Sequence, residues 1–260
     1  MMQYRYAQNW NFEDYASGRV FYNRPGQPAF PVRLASEIFQ RALEHWQAEG
    51  GRGRCTIYDP VCGGGYWLVV LAYLHWEAIA AIYASDIDAE VLPLAERNLS
   101  LITQEGLTQR ISEIEVMIST FQKESHTSAL VSAGKFRERL ELNLVSHAIN
   151  QVVFQADAMD AQNMARGFAE GQVDLVLADV PYGWHSKWHM GSGDLKSQPS
   201  KKEAGQTPID VMLDAIHDIL KPGGVLAIAF DKSQKIKHKR FRRLERFQVG
   251  KRRIFILQIK

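Results

Sequence analysis

Residues 55–65 read CTIYDPVCGGG, a short apolar run that ends in an aspartate and is followed by three glycines. The run has the length and composition of a buried β-strand. Because glycine lacks a Cβ atom, the backbone after this strand can pass close to a ligand. The apolar stretch from Tyr66 to Trp76 then predicts a helix. A strand, a glycine turn and a helix in this order predict the first unit of a parallel α/β sheet.

The same alternation continues along the chain. Further strands are predicted at residues 80–86, 152–157, 173–179, 225–230 and 253–259. Helices are predicted to start at Pro31 and to cover about residues 89–101, 161–169 and 209–220, and a turn is predicted at Lys221 to Gly224. Strands that alternate with helices indicate an α/β fold whose mostly parallel sheet carries helices on both faces.

We interpret residues 1–260 as a single domain with two additions. Residues 1–30 form an N-terminal extension with scattered aromatic side chains and no clear periodicity. Residues 103–150 form an insertion between the second and third strands, and the spacing of the apolar residues from 136 to 144 predicts that it is helical.

The composition, 46% hydrophobic and 23% charged, is ordinary for a soluble globular protein. No stretch reaches the roughly 18 apolar residues that would span a bilayer, and residues 1–11 lack the apolar core of a secretory signal. Cys55 and Cys62 form neither a disulfide framework nor a zinc-binding spacing. We therefore expect a cytoplasmic protein that binds no membrane and no metal, with its oligomeric state left open.

The aspartate and glycines after the first strand predict a cofactor site, because ligands of open α/β sheets bind at the carboxyl ends of the strands. Asp59 would lie beside the cationic methionine moiety of S-adenosylmethionine (SAM), with Gly63 and Gly65 close to the cofactor. A nicotinamide dinucleotide is the competing cofactor. Its motif needs a third glycine where this chain has Leu68, and Asp59 would repel its pyrophosphate. SAM is therefore favoured.

Two more acids stand at predicted strand ends. Asp86 could accept hydrogen bonds from both ribose hydroxyls of the cofactor, and Asp157 could accept one from the adenine amino group. Asp88, two residues after Asp86, is interpreted as a helix N-cap. A single acid of this kind is more often a cap or a surface residue, so the prediction rests on their recurrence at successive strand ends.

The turn Asp179-Val180-Pro181-Tyr182-Gly183 follows an apolar strand and is the most specific motif of the chain. Methylation of a base nitrogen needs acceptors that orient the base and a flat surface that holds it. Asp179 supplies a carboxylate, and Tyr182 offers a face for stacking, which contributes about 1–3 kcal/mol per base. We predict Asp179, Pro181 and Tyr182 as the catalytic turn. The segment 191–206 after it is interpreted either as a lid or as a surface loop.

The net charge of +2 conceals a strongly basic segment, residues 232–253, which holds eleven Lys or Arg against one acid, Glu245. A basic segment on a nearly neutral protein indicates either a polyanionic partner or a solvated surface. We predict RNA contacts from its first seven basic residues, Lys232, Lys235, Lys237, Lys239, Arg240, Arg242 and Arg243.

The four turns at predicted strand ends, which contain Asp59, Asp86, Asp157 and Asp179, together resemble those of the class I SAM-dependent methyltransferases. The stretch Lys221 to Gly224 resembles the turn before a late strand in those enzymes. This resemblance implies a Rossmann-like fold with about seven strands. Nitrogen-directed members carry an Asn- or Asp-Pro-Pro-aromatic turn, from which this chain departs at Val180.

A more specific resemblance is to the AviRa family of avilamycin-resistance ribosomal RNA methyltransferases. It rests on the stretch Pro25 to Leu43, on Asp59-Pro60-X-Cys62-Gly63, on the Asp179 turn and on Asp231 to Ile236. The resemblance implies that Pro60 and Cys62 belong to the cofactor site. It also implies methylation of a guanine in large-subunit ribosomal RNA, as naked RNA or in a ribosomal particle, and resistance to an oligosaccharide antibiotic.

Two alternatives remain open at this point. One is a methyltransferase that acts on a protein or a small amine, against which the basic segment argues. The other is a non-catalytic RNA-binding module on a methyltransferase fold. The presence of Asp59, Gly63, Gly65, Asp86 and Asp179 argues against that module.

Overall fold

A computed structural model describes residues 4–24, 29–168, 173–180, 207–234 and 236–260. Its strands are β1 (Cys55–Asp59), β2 (Ile79–Asp86), β3 (Asn150–Gln155), β4 (Val173–Asp179), β5 (Leu220–Asp231), β6 (Phe241–Val249) and β7 (Arg252–Ile259). They form one sheet in the order β3-β2-β1-β4-β5-β7-β6. β1 to β5 are parallel, and β7 runs antiparallel to both β5 and β6. The predicted mostly parallel α/β sheet of about seven strands is confirmed.

The described helices are α1 (Val32–Ala48), α2 (Tyr66–Leu74), α3 (Leu92–Ser100), α4 (Gln104–Phe121), α5 (Glu124–Ser146), α6 (Ala161–Ala165) and α7 (Pro208–Ile219). Helices α4 and α5 pack against each other and account for the insertion between β2 and β3, which is helical as predicted. None of the helices in the described ranges is both long and apolar enough to cross a bilayer.

The sheet separates two cores, as the fully buried strand β4 shows. Leu175 and Leu177 point into the core formed with α1, α2, α3 and the inserted helices. Val176 and Ala178 point into the second core, beneath α6 and α7. Successive side chains of a strand face opposite sides of the sheet. A strand buried on both faces therefore has apolar residues in succession, as in Leu175 to Ala178 of β4.

Several predicted boundaries need correction. Helix α3 starts at Leu92, not near Ala89, and its N-cap residue is Val91, whose side chain makes no capping bond. The N-cap assignment of Asp88 was therefore wrong: its carboxylate accepts a hydrogen bond from the Glu90 backbone N–H at 3.0 Å. Residues 221–224, predicted as a turn, lie inside β5, where the pairing with β4 shifts register.

The largest omission is β6, which lies inside the basic segment. The alternation of apolar and polar residues there is weak, because two adjacent residues, Arg242 and Arg243, are both exposed. Phe241 before them is buried, and Arg246 after them is exposed. β6 forms the edge of the sheet and pairs along its length with β7. The segment predicted to lead to a closing strand therefore contains a strand of its own.

The N-terminal extension is attached to α1 by one buried carboxylate. Glu37, with no exposed surface, accepts hydrogen bonds from the backbone N–H groups of Arg5, Tyr6 and Ala7 at 2.7–2.9 Å. Its other partner is Arg41, whose Nε lies 2.7 Å from Oε1 of Glu37. Burial alone would raise the pKa of Glu37, but the three backbone donors and Arg41 outweigh it and hold the pKa below its ordinary value.

We expect Glu37→Gln to lower the free energy of unfolding by about 3 kcal/mol, because it removes one partner of a buried ion pair. Because the pKa of Glu37 is lower in the folded protein than in the unfolded chain, the ionised carboxylate stabilises the fold above the unfolded pKa. This stabilisation is lost as the pH falls through the folded pKa. Urea unfolding at pH 7 and at pH 4 measures both effects. Glu138→Gln, at an exposed site on helix α5, is the control. Equal losses in the two variants at pH 7 would contradict the anchoring role of Glu37.

Candidate active site

The glycine turn after β1 combines an open side with a tightly packed side. Gly63 has φ of +51°, and a Cβ atom built there would meet nothing within 4 Å. Gly65 has φ of +68°, and a Cβ atom there would lie 3.2 Å from Cα of Ala95 on α3. Gly63 is therefore free to border a ligand, whereas Gly65 is required for the contact between the turn and α3.

Asp59 ends β1 and is almost completely buried. Its Oδ1 accepts a hydrogen bond from the Val61 backbone N–H at 3.0 Å, and its Oδ2 accepts one from Nε1 of Trp67 at 2.6 Å. Burial raises the pKa of Asp59 to about 8 against the effect of these two bonds, and the nearby carboxylates of Asp86 and Asp179 add to the rise. A carboxyl group of this kind is ready to ionise when a cation arrives beside it.

A cavity of about 390 Å³ opens beside Asp59 at the carboxyl ends of β1 and β4. This is where the strand order reverses, the usual ligand crevice of open α/β sheets. The cavity walls come from the glycine turn, α3, the carboxyl end of β4, the start of β7 and the N-terminal extension; they include Ser17, Tyr22, Asn23, Arg24, Phe30, Asp59, Cys62, Gly63, Gly64, Trp67, Leu94, Asn98, Asp179 and Arg252.

A chain of contacts joins the two carboxylates that border this cavity. The Trp67 ring that donates to Asp59 packs against the Phe30 ring, with 4.8 Å between ring centroids. The guanidinium of Arg252, the first residue of β7, lies 4.9 Å from the Phe30 ring centroid. The same guanidinium lies 3.6 Å from Oδ2 of Asp179. Arg252 thus places a positive charge beside the acid of the predicted catalytic turn.

The N-terminal extension is held over the cavity by Asn98 of α3, which is completely buried. Asn98 accepts a hydrogen bond from the Tyr22 backbone N–H at 2.8 Å. Its side-chain amide donates to the backbone oxygens of Tyr22 and Gly64 at 3.2 and 2.7 Å. One side chain therefore connects the extension with the glycine turn.

The inserted helix α4 supports the same part of the extension. Nε of Arg110 donates to the Val20 backbone oxygen at 2.8 Å, and the Arg110 guanidinium lies 4.4 Å from the Tyr22 ring centroid. The Tyr22 hydroxyl donates to Glu113 at 3.0 Å. The insertion and the N-terminal extension, which read as additions in the sequence, together complete one wall of the cavity.

The structure brings Asp59, Cys62, Gly63 and Asp179 together at the cavity, and the cofactor-binding and catalytic roles predicted for them stay predictions. Pro60 and Gly65 belong to the same turn without lining the cavity. Their assignment to a cofactor site stays a prediction.

Asp86 and Asp157 are engaged in their own turns. Asp86 accepts hydrogen bonds from the backbone N–H groups of Gly63 at 2.9 Å and Asp88 at 3.1 Å. Asp157 accepts one from the Met159 backbone N–H at 2.9 Å. Neither carboxylate lines the cavity, and their predicted contacts with ribose and adenine stay predictions. The predicted catalytic residues Pro181 and Tyr182, the predicted RNA contact Lys235 and the segment 191–206 lie outside the described residues.

The basic segment does not form one uniform surface. Arg240 forms an ion pair with Asp218 at 2.5 Å, and Arg242 forms one with Glu49 at 2.5 Å. Lys232, Lys237, Lys239 and Arg243 are exposed. The RNA contacts predicted for this segment stay predictions, and the exposed side chains are the ones best placed to make them.

Sequence reasoning missed four residues that shape the cavity: Trp67, Asn98, Phe30 and Arg252. Arg252 was counted only as part of the basic segment. Because β7 runs antiparallel to β5, its first residue, Arg252, lies at the carboxyl ends of the parallel strands. The position of Arg252 in the sequence does not reveal this. A tryptophan two residues after the last glycine of the turn is the one signal that the sequence offered, because a buried indole N–H needs an acceptor.

A glycine turn after β1, acids at the ends of β1 and β4 and this strand order define a class I methyltransferase fold. The model of the AviRa family, described as rRNA methyltransferase AviRa, matches residues 2–252. The chain is 36% identical over 253 residues to the "23S rRNA (guanine(2535)-N(1))-methyltransferase" of Streptomyces viridochromogenes. The aligned region covers 97% of this chain and 94% of that protein. The chain therefore belongs to the AviRa family of rRNA methyltransferases.

Solved structures agree with this assignment. Two structures of the rRNA methyltransferase AviRa from Streptomyces viridochromogenes superpose with TM-scores of 0.83 and 0.84 at 35% and 34% identity. In both cases the match covers 99% of this chain and 96% of the other. The predicted family resemblance is confirmed.

We expect Asn98→Ala to lower the free energy of unfolding by about 3 kcal/mol, because it leaves three buried backbone groups without partners at about 1–3 kcal/mol each. It should also speed proteolytic cleavage within residues 4–24. Urea unfolding and timed proteolysis with peptide mapping measure the two effects. Glu96→Ala, at an exposed position of the same helix, is the control. Unchanged cleavage of the N-terminal segment in Asn98→Ala would refute the coupling.

Proposed function

We propose that this chain transfers a methyl group from SAM to a guanine base of large-subunit ribosomal RNA, at the N1 position named for its relative. The observation that carries the proposal is the cavity in which a buried Asp59, an open glycine turn and Asp179 meet. Membership of the AviRa family supplies the substrate class. Resistance to an oligosaccharide antibiotic is the consequence that the same membership predicts.

The residues around the cavity fit SAM by charge and by shape. SAM supplies an electrophilic methyl group on a positively charged sulfur. Asp59 would hold the cationic amino acid part, and Gly63 leaves open the space that a Cβ atom would fill. Asp86 fixes the Gly63 backbone and would bind the ribose, and Asp157 would bind the adenine. Carboxylates near a cationic ligand are favourable in a partly buried site, where opposite charges attract more strongly than in water.

The chain's own groups have to orient the guanine and accept its N1 proton. In neutral guanine N1 carries hydrogen, so two bonds have to break as the bond from N1 to the methyl carbon forms: the N1–H bond, and the sulfur–methyl bond of SAM, whose sulfur would be left as a neutral thioether. Asp179 would accept this proton and pass it to solvent. Arg252, 3.6 Å from Asp179, would compensate the negative charge that gathers on the base as the proton leaves. Tyr182 would stack on the base, which has to be unpaired or flipped to reach the cavity.

Labelled SAM incubated with ribosomal RNA or with isolated large subunits tests the proposal. We expect label in one guanine of the RNA, located by mass spectrometry of nuclease fragments. Asp179→Asn should lower the rate of transfer by about 10²–10⁴-fold, the usual contribution of a general base, and should leave SAM affinity within about threefold. Asp160→Asn, a helix-capping acid away from the cavity, is the control. Label found only in protein would exclude RNA as the substrate.

The raised pKa of Asp59 makes SAM binding depend on pH. Below about pH 8 the carboxyl of the unliganded protein is mostly neutral, and a cationic ligand requires its ionised form. SAM affinity should therefore rise with pH, approaching about tenfold per unit between pH 6 and 7.5. Calorimetric titration with SAM across this range measures the slope, and Asp59→Asn should remove it. A flat wild-type profile would show that Asp59 does not hold the cofactor cation.

A further inference from the structure

A second cavity, of about 410 Å³, lies at the outer edge of the sheet, where β6 begins and β7 ends. Its floor is apolar and is formed by Phe241, Phe255 and Leu257. Basic side chains surround the opening, namely Lys237, Arg242, Arg243 and Lys260. Its described lining includes no acidic residue.

Two of the cations are available to a ligand. The guanidinium of Arg243 lies 5.0 Å from the centroid of the Phe255 ring, which holds it in place through a cation–π contact. Within the described ranges neither Arg243 nor Lys237 forms an ion pair, in contrast to Arg242, which is paired with Glu49. Uncompensated cations at the mouth of a cavity favour an anionic ligand.

The wall also contains a buried histidine. The side chain of His238 is only 6% exposed, and its Nε2 lies 3.4 Å from Oδ1 of Asp214. Its Nδ1 is buried and has no hydrogen-bond partner among the described residues. When Nε2 donates to Asp214, Nδ1 of the neutral ring is an acceptor, so an anionic ligand is held by the cations and not by His238.

The cavity is distant from the methyl-transfer site. Arg252 at the start of β7 borders the catalytic cavity, whereas Leu257 borders the second one. Phe255 and Leu257, which border the second cavity, are three and five residues from Arg252, which corresponds to about 10–17 Å of extended strand. A few base pairs of RNA can span this distance, so one RNA molecule can reach both cavities.

We propose that this cavity binds a backbone phosphate of the substrate RNA and so provides a second point of attachment, about 10–17 Å along β7 from Arg252. Arg243 and Lys237 contact the phosphate oxygens. The proposal rests on the proposed function for the identity of the RNA. The new element of this proposal is that the enzyme contacts the RNA towards both ends of β7.

The salt dependence of RNA affinity tests the proposal. Each phosphate contact contributes roughly 0.7–0.9 to the slope of log K against log salt concentration. We therefore expect Lys237→Ala and Arg243→Ala each to reduce this slope by about 1, and Arg243→Lys to retain it because the charge is kept. Lys123→Ala, at an exposed lysine of the inserted helices, is the matched control and should leave the slope unchanged.

Steady-state kinetics distinguishes a role in RNA attachment, which changes KM for RNA, from a role in catalysis, which changes kcat. The two alanine variants should raise KM for RNA by about tenfold at 150 mM salt, while kcat and SAM affinity stay within about twofold of wild type. An unchanged slope in both variants, or a lower kcat at saturating RNA, would overturn the proposal. So would calorimetry in which Lys237→Ala weakens the binding of inorganic phosphate but not of RNA. If the wild-type protein methylates no RNA, the proposed function fails, while the slopes still decide whether the cavity contacts RNA.

Discussion

A carboxylate buried at the end of β1 sets the arrangement of the active site. A buried polar group needs hydrogen-bond partners, and the partners of the Asp59 carboxyl are the Val61 backbone N–H and the Trp67 indole N–H. The second bond fixes the Trp67 ring, and that ring supports Phe30, which in turn supports the Arg252 guanidinium beside Asp179. The group proposed to bind the cofactor and the group proposed to bind the base are therefore positioned by one continuous set of contacts.

The same arrangement explains why the N-terminal extension belongs to the site. Phe30 is one of its last residues, and Tyr22 is held by Asn98, which also binds the glycine turn. Glu37 fastens the beginning of the extension to α1. Two side chains from the rest of the domain, Asn98 and Glu37, thus hold the described parts of the extension in place. The inserted helix α4 supports it from the outside through Arg110 and Glu113.

The sequence predicted the interior of the fold better than its edge. β4 was predicted from Val173 to Asp179 with its exact bounds, because a strand buried on both faces has an apolar residue at almost every position. β6 was missed because its stability comes from pairing with β7 and from ion pairs such as Arg41 with Glu245. Such partners are about 200 residues apart in the chain. Asp59 and Asp179 were found because each directly ends an apolar run, whereas Arg252 reaches the site only through the antiparallel return of β7.

The basic segment contributes residues to both cavities: Arg252 lines the first, and Lys237, Arg242 and Arg243 line the second. β7 starts at Arg252, which lies beside Asp179 at the first cavity, and ends at Ile259, one residue before Lys260 at the second cavity. A strand inside a sheet is stiff, so the spacing between these two places is fixed by the fold and not by a flexible linker. Phosphate contacts position a nucleic acid without reading its bases. A fixed distance between such a contact and the catalytic cavity would therefore select which nucleotide of a structured RNA reaches Asp179, by shape and not by sequence.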